Sequence, residues 1–206
     1  MTRPLRTARP AAGVIRLIRA QLEDTGRLHQ ALPAEQLARI AAAAGMLTET
    51  LRRGRKIIWF GNGGSATQSQ HMAGEFVGRF QRERRSLPSI SLTENMASIT
   101  AIANDYAFEQ IFSRQIEGLG QAGDAAVGLS TSGNSPNVLA GLRAAKAKGL
   151  RTLGLTGQGG GKMAGLCDLW IGVPSTVTAR IQEVHLTIGH ILCALVEDAL
   201  RTGHAS

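Results

Sequence analysis

The chain has 206 residues, 43% hydrophobic but only 4% aromatic, and 23 Lys and Arg against 15 Asp and Glu give it a net charge of +8. That length fits one α/β domain with a core of its own. Two cysteines, Cys167 and Cys193, exclude a disulfide framework and fit a reduced, cytoplasmic setting, and no apolar run approaches the roughly 20 residues of a membrane span.

In chain order, residues 1–10 (MTRPLRTARP) read as a solvated basic arm rather than a transit peptide, although the first acidic residue is Glu23. Residues 11–206 read as one domain, with N-terminal helices over 11–53 and a sheet-and-helix core over 54–206. Val14, Leu17, Ile18 and Leu22 fall at helical spacing, as do Leu37, Ile40, Ala44, Leu47 and Leu51, which predicts a helical hairpin. Pro33 suits the first turn of the second helix, and Gly54 its stop.

Beyond Gly54 short apolar runs alternate with helical patterns. The runs are 56–60, 88–92, 125–129, 152–155 and 169–173. Each is too short for a helix and lacks clean alternation, as strands covered on both faces do. Helices are predicted near 65–80, 96–118, 136–148 and 178–201, with a short one around 162–166. The alternation predicts an α/β fold with a parallel sheet between helices.

Two turns stand out. Gly61-Asn62-Gly63-Gly64-Ser65-Ala66 follows the first strand and opens a helix, where glycines let the backbone approach an anion and free N–H groups receive it. It formally fits a dinucleotide fingerprint, but the acidic residue such a site needs, Glu94, comes late, so no nucleotide cofactor is expected. The second turn, Ser130-Thr131-Ser132-Gly133-Asn134-Ser135-Pro136, sets four hydroxyls and an Asn at a helix start, more than a cap requires. Both turns follow strands, at the edge where open α/β sheets bind ligands.

His71 and Glu75 share a helix face at i,i+4, a spacing that serves a surface ion pair, a metal ligand pair or an acid/base pair. In the last helix Ile181, Val184, Ile188 and Leu192 mark a buried stripe, while Gln182, His185 and His190 are polar residues that each need a partner if buried. His185 reads as structural or exposed, and spacing alone gives His190 no other reading.

Together, FGNGGSA, QHMAGEFVGRF, SITAIANDYAFEQIFSRQ, LSTSGNSPNVL, LTGQGGGKMAGLCD and VPSTVTARIQEVHLTIGHIL resemble the sugar isomerase (SIS) domain family, specifically its phosphoheptose isomerase branch. The resemblance runs from about residue 12 to 200. It implies a single SIS domain with a five-stranded parallel sheet flanked by helices. Asn62, Gly63, Gly64, Asn104, Asp105, Ser130, Thr131, Ser132 and Ser135 would line a sugar-phosphate site, with Glu75, Gln182 and Arg79 also near the substrate. His71, Glu75, Gln182 and His190 would hold one zinc ion per subunit, and Glu75 and His190 would be the catalytic pair. A homotetramer with shared active sites is implied, in which Glu75 and His190 need not meet within one chain.

The implied reaction turns sedoheptulose 7-phosphate into D-glycero-D-manno-heptose 7-phosphate through an enediolate. The competing class is a non-catalytic SIS scaffold for a protein or nucleic-acid partner, and an isomerase of another sugar phosphate is a further alternative. A relative of the scaffold kind lacks the residues corresponding to Glu75 and His190, which this chain keeps. The run GRFQRERR is the kind of charge run that is usually a solvated face, so a nucleic-acid partner is not expected. One departure is Thr93-Glu94-Asn95-Met96, where many relatives carry Thr-Asp-Thr; it bears on substrate preference.

Overall fold

The computed structural model describes residues 11–202, so the basic arm over 1–10 lies outside the described residues. Five strands form one parallel sheet: β1 (Ile57–Gly61), β2 (Ser89–Ser91), β3 (Ala125–Ser130), β4 (Arg151–Thr156) and β5 (Leu169–Gly172), in the order β2-β1-β3-β4-β5. Each was expected within two residues of its observed bounds. The helices are α1 (Ala12–Gln30), α2 (Ala34–Arg52), α3 (Gly64–Val77), α4 (Met96–Asp105), α5 (Ser113–Leu119), α6 (Pro136–Ala147), α7 (Gly161–Ala164) and α8 (Thr178–Thr202).

The strands are continuous apolar runs because both faces are covered. On β1, Ile57 and Trp59 face a core shared with α2, α3 and α8, whereas Ile58 and Phe60 face a second core built by α5 and α6. The buried indole of Trp59 is satisfied, its Nε1 donating to Ser89 Oγ at 3.0 Å.

Gly54 takes φ +68° just beyond α2, where Gly54 N bonds Leu51 O and Arg55 N bonds Thr50 O, the paired bonds of a Schellman stop. The stripe Ile40, Ala44, Leu47 and Leu51 is buried with the sheet core. α1 buries no residue: Val14, Leu17, Ile18 and Leu22 are 50% to 70% exposed. It is held to α8 by polar pairs, Thr25 Oγ1 donating to Glu183 at 2.6 Å and His29 Nε2 meeting Thr187 Oγ1 at 2.8 Å.

Two helical expectations need correction. The span 96–118 is not one helix: α4 ends at Asp105, Ala107 is extended at φ −164° and ψ 154°, and a 3₁₀ turn over Phe108–Gln110 precedes α5. The span 65–80 ends at Val77, where Arg84 takes the carbonyls of Glu75 and Phe76 and closes the helix from outside. Among the described residues no helix is long and apolar enough to cross a membrane.

Candidate active site

From β1 the chain moves outward to β2 and then returns to place β3 on the other side of β1. The carboxyl ends of β1 and β3 therefore flank the switch point, where open α/β sheets leave a crevice for ligands. The two motif turns stand there. Asn62 and Asn137 clamp them together by reciprocal amide bonds, each Nδ2 donating to the other's Oδ1 at 2.8 Å.

Gly63 caps α3 at φ +54° and ψ −121°, a conformation that favours glycine. In the second turn Ser135 is the N-cap of α6 yet makes no side-chain cap bond. Its hydroxyl turns to Ser130 Oγ at 2.9 Å, and Ser130 Oγ lies 3.3 Å from Ser132 Oγ. The hydroxyls thus form a cluster of their own rather than a surplus of caps. Thr131 serves through its carbonyl, which accepts Gly157 N at 3.0 Å.

α3 and α8 run side by side in the same direction, with matched rungs. The amide of Gln182 lies so close over Gly64 that a Cβ there would come within 2.6 Å of Nε2. Gln68 Nε2 donates to Gln182 O at 2.6 Å. Met72 fills the space a Gly189 side chain would need, its Sδ 2.2 Å from a Cβ built there. At the next rung His71 Nε2 lies 2.9 Å from His190 Nε2 and 3.2 Å from Glu75 Oε1.

His71, Glu75 and His190 thus converge within one chain, their ligand atoms all within 4.8 Å of one another. Two imidazoles and a carboxylate at this spacing are donors that a divalent metal such as zinc accepts. The His190 ring is held between two neighbours: edge to face with His71 at 5.1 Å, and stacked on Phe80 at 5.3 Å and 20°.

Not every expected residue joins this cluster. Arg79 lies in the loop past the end of α3 rather than a further helical turn on, 60% exposed, with its Nε 3.7 Å from Glu83. Asn104 and Asp105 are exposed at the end of α4 and bond to each other at 2.8 Å. Gln182 reaches the site through Gly64. In the divergent stretch Asn95 caps α4, accepting Ser98 N at 3.0 Å, and Thr93 is buried, its hydroxyl donating to Ala66 O at 3.2 Å.

His185 is buried and structural, its Nε2 donating to Thr156 O at 2.9 Å. Burial pushes its pKa down to about 4, with the Thr156 bond opposing the shift. The unfolded chain therefore binds a proton between about pH 6.5 and 4 that the native state refuses, so stability falls as pH falls through that window. His185→Gln is expected to flatten the loss between pH 7 and pH 4 by about 3 kcal/mol, read from urea unfolding of both proteins.

Several residues escaped the sequence reading. Asn137 follows Pro136 where only a helix start was evident. Gln68 sits one turn before His71, and its Oε1 is buried without a hydrogen-bond partner. Phe80 was legible only as the last residue of the helix predicted over 65–80, and Glu197 only as a charge in the last helix.

A parallel sheet with Gly-rich and Ser-rich turns at its switch point, and a His–Glu–His cluster on the helices beside them, defines an α/β domain built to hold a small ligand at its sheet edge. The SIS domain family model matches residues 22–157, and the chain belongs to that family. Among curated relatives it is 56% identical to the phosphoheptose isomerase of Rhodospirillum rubrum over 78% of this chain and 86% of that protein. It is 54% identical to that of Nitratidesulfovibrio vulgaris over 79% and 78%. Among solved structures, the phosphoheptose isomerase of Neisseria gonorrhoeae superposes with a TM-score of 0.85 at 36% identity, over 90% of this chain and 99% of that one.

Proposed function

We propose that this chain is an aldose–ketose isomerase that converts sedoheptulose 7-phosphate to D-glycero-D-manno-heptose 7-phosphate. The observation that carries the reading is the convergence of Glu75, His190 and His71 on the α3–α8 seam, beside two turns suited to an anion. Relatives of about half identical sequence that bear the phosphoheptose isomerase name support the same substrate.

In the reaction, the hydroxyls of Ser130, Ser132 and Ser135 and the N-terminus of α6 receive the phosphate and fix the sugar's far end. Asn62, Gly63, Gly64 and Thr131 line the crevice between that anchor and the seam. Glu75 takes the proton from C1, and His190 manages the protons on the two oxygens as the enediolate forms and a proton returns at C2. His71, Glu75, Gln182 and His190 would hold one zinc ion. When bound, it would supply Lewis-acid polarisation at the sugar oxygens.

The exposed apolar residues of α1 support an assembly of copies, which we propose is a homotetramer. Asn104, Asp105 and Arg79, exposed and outside the cluster, fit a site completed across subunits. A cytoplasmic location goes with this reading, as does the domain division at residue 11, with helices over 11–53 and the core over 54–206.

Purified protein mixed with sedoheptulose 7-phosphate in D₂O is expected to form aldose with deuterium at C2, followed by NMR. A tight chelator is expected to abolish turnover and added zinc to restore it. No aldose and no deuterium uptake under any metal condition would sink the assignment.

A further inference from the structure

Between α3 and β2 lies a buried ion pair that the chemistry above does not use. Glu197, on α8 seven residues beyond His190, is 4% exposed. Its carboxylate accepts the backbone N–H groups of Phe80, Gln81 and Arg82 at 2.9, 3.0 and 3.2 Å, and Nε of Arg84 at 2.8 Å. Burial opposes its charge, yet the Gln81 and Phe80 N–H groups and the Arg84 guanidinium hold its pKa below the ordinary carboxylate value.

Arg84 in turn spends its other nitrogens on main-chain carbonyls. Nη2 donates to Glu75 O at 2.8 Å, and Nη1 to Phe76 O at 2.9 Å and Gly78 O at 3.2 Å. A carboxylate from the helix of His190 is thereby joined through one guanidinium to the end of the helix of His71 and Glu75. The residue whose N–H is gripped first, Phe80, is the one whose ring lies flat on His190. An ion pair this buried is strongly destabilising to break, since either partner alone is left as an uncompensated charge.

We infer that Glu197, Arg84 and Phe80 are positioning residues of the site, which set the His190 ring against Glu75 and His71 by locking the loop after α3; the inference rests on the isomerase reading above. Catalytic groups lose on the order of 100-fold for a 1 Å misplacement. A His190 ring without Phe80 on its face keeps only its His71 neighbour, so its Nε2 is held against the seam from one side alone. The phosphate anchor is on β3 and α6, outside this clamp, so substrate affinity is spared.

The test uses the full-length protein with Glu197→Gln, which keeps the shape but removes the charge and one acceptor, and Phe80→Leu, which leaves the clamp whole and removes only the ring. Both are compared with wild type for His190 ring-proton shifts by NMR on histidine-labelled protein, and for kcat and KM with sedoheptulose 7-phosphate. Expected are His190 signals moved from their ring-shielded positions in both variants, and kcat lowered about tenfold or more with KM within about twofold. Unmoved His190 signals in Phe80→Leu, or kcat within twofold of wild type in both variants, overturns the inference. So does a kcat loss that only follows the folded fraction. A wild type without turnover, whose His190 signals still move in both variants, supports the positional coupling and overturns the isomerase reading instead.

Discussion

Glu75→Gln and His190→Gln are each expected to lower kcat at least a hundredfold while leaving the fold and the affinity for sugar phosphate in place. Both changes keep side-chain volume on helices whose packing rests on other residues, Met72 against Gly189 and Gln182 against Gly64. What they remove is a group able to exchange a proton. General acid–base catalysis contributes about 100- to 10,000-fold, which is about 3 to 5 kcal/mol of barrier. Because the same side chains would also hold zinc, His71→Gln is the necessary companion: it removes a ligand but leaves the proposed base and acid. If chemistry rests with Glu75 and His190, deuterium uptake from D₂O stops in Glu75→Gln even with zinc in excess, whereas His71→Gln recovers turnover as zinc is raised. Equal loss in all three, reversed equally by zinc, would assign these residues to metal binding alone. The double variant should lose little more than either single one, since residues acting as a unit are not additive.

The parts of this architecture that were legible are those written in local pattern. Strand β1 could be read because a sheet covered on both faces demands an unbroken apolar run, and Ile57 through Phe60 supply it to two cores at once. The stop of α2 was legible because Gly54 takes the positive φ that ends a helix. The break between α4 and α5 was not, because no Pro or Gly marks Tyr106 and Ala107. The end of α3 has a local mark, Gly78 at its C-cap, and a distant one: Arg84, held by Glu197 more than a hundred residues away, takes the carbonyls of Glu75 and Phe76 that would continue the helix.

The site divides in the same way. His71 and Glu75 are a local pair, visible as spacing, but their meeting with His190 within one chain is a tertiary fact that periodicity could not give and that the resemblance left open. Ser135 was legible as a helix start, yet its hydroxyl leaves the cap for Ser130. That choice turns an ordinary capping residue into part of a hydroxyl cluster, and only the neighbouring strand end makes it available. The amide pair between Asn62 and Asn137 was silent for the same reason, since each residue alone reads as turn chemistry.

Gly133→Ala is expected to cost about 2 to 4 kcal/mol of stability and to raise KM for the sugar phosphate by tenfold or more. Gly133 sits at φ +65°, and a Cβ there would lie 2.1 Å from Gly160 O and 2.6 Å from Gly160 C. Both contacts are backbone, so no rotamer change relieves them. The serine-rich turn and the glycine turn over 157–161 lie main chain to main chain, tied by Met163 N to Gly133 O at 3.1 Å and Gly157 N to Thr131 O at 3.0 Å. Forcing them apart displaces Ser132 from the proposed phosphate anchor, which would weaken ground-state and transition-state binding alike and so appear in KM before kcat. Gly159→Ala is the control: its φ is +77°, but nothing lies within 4 Å of the added methyl. It therefore carries the backbone strain alone, about 1 kcal/mol. Urea midpoints and KM for the two variants separate strain from collision. Should Gly133→Ala behave like Gly159→Ala in both, the close packing of the two turns does not shape the phosphate anchor.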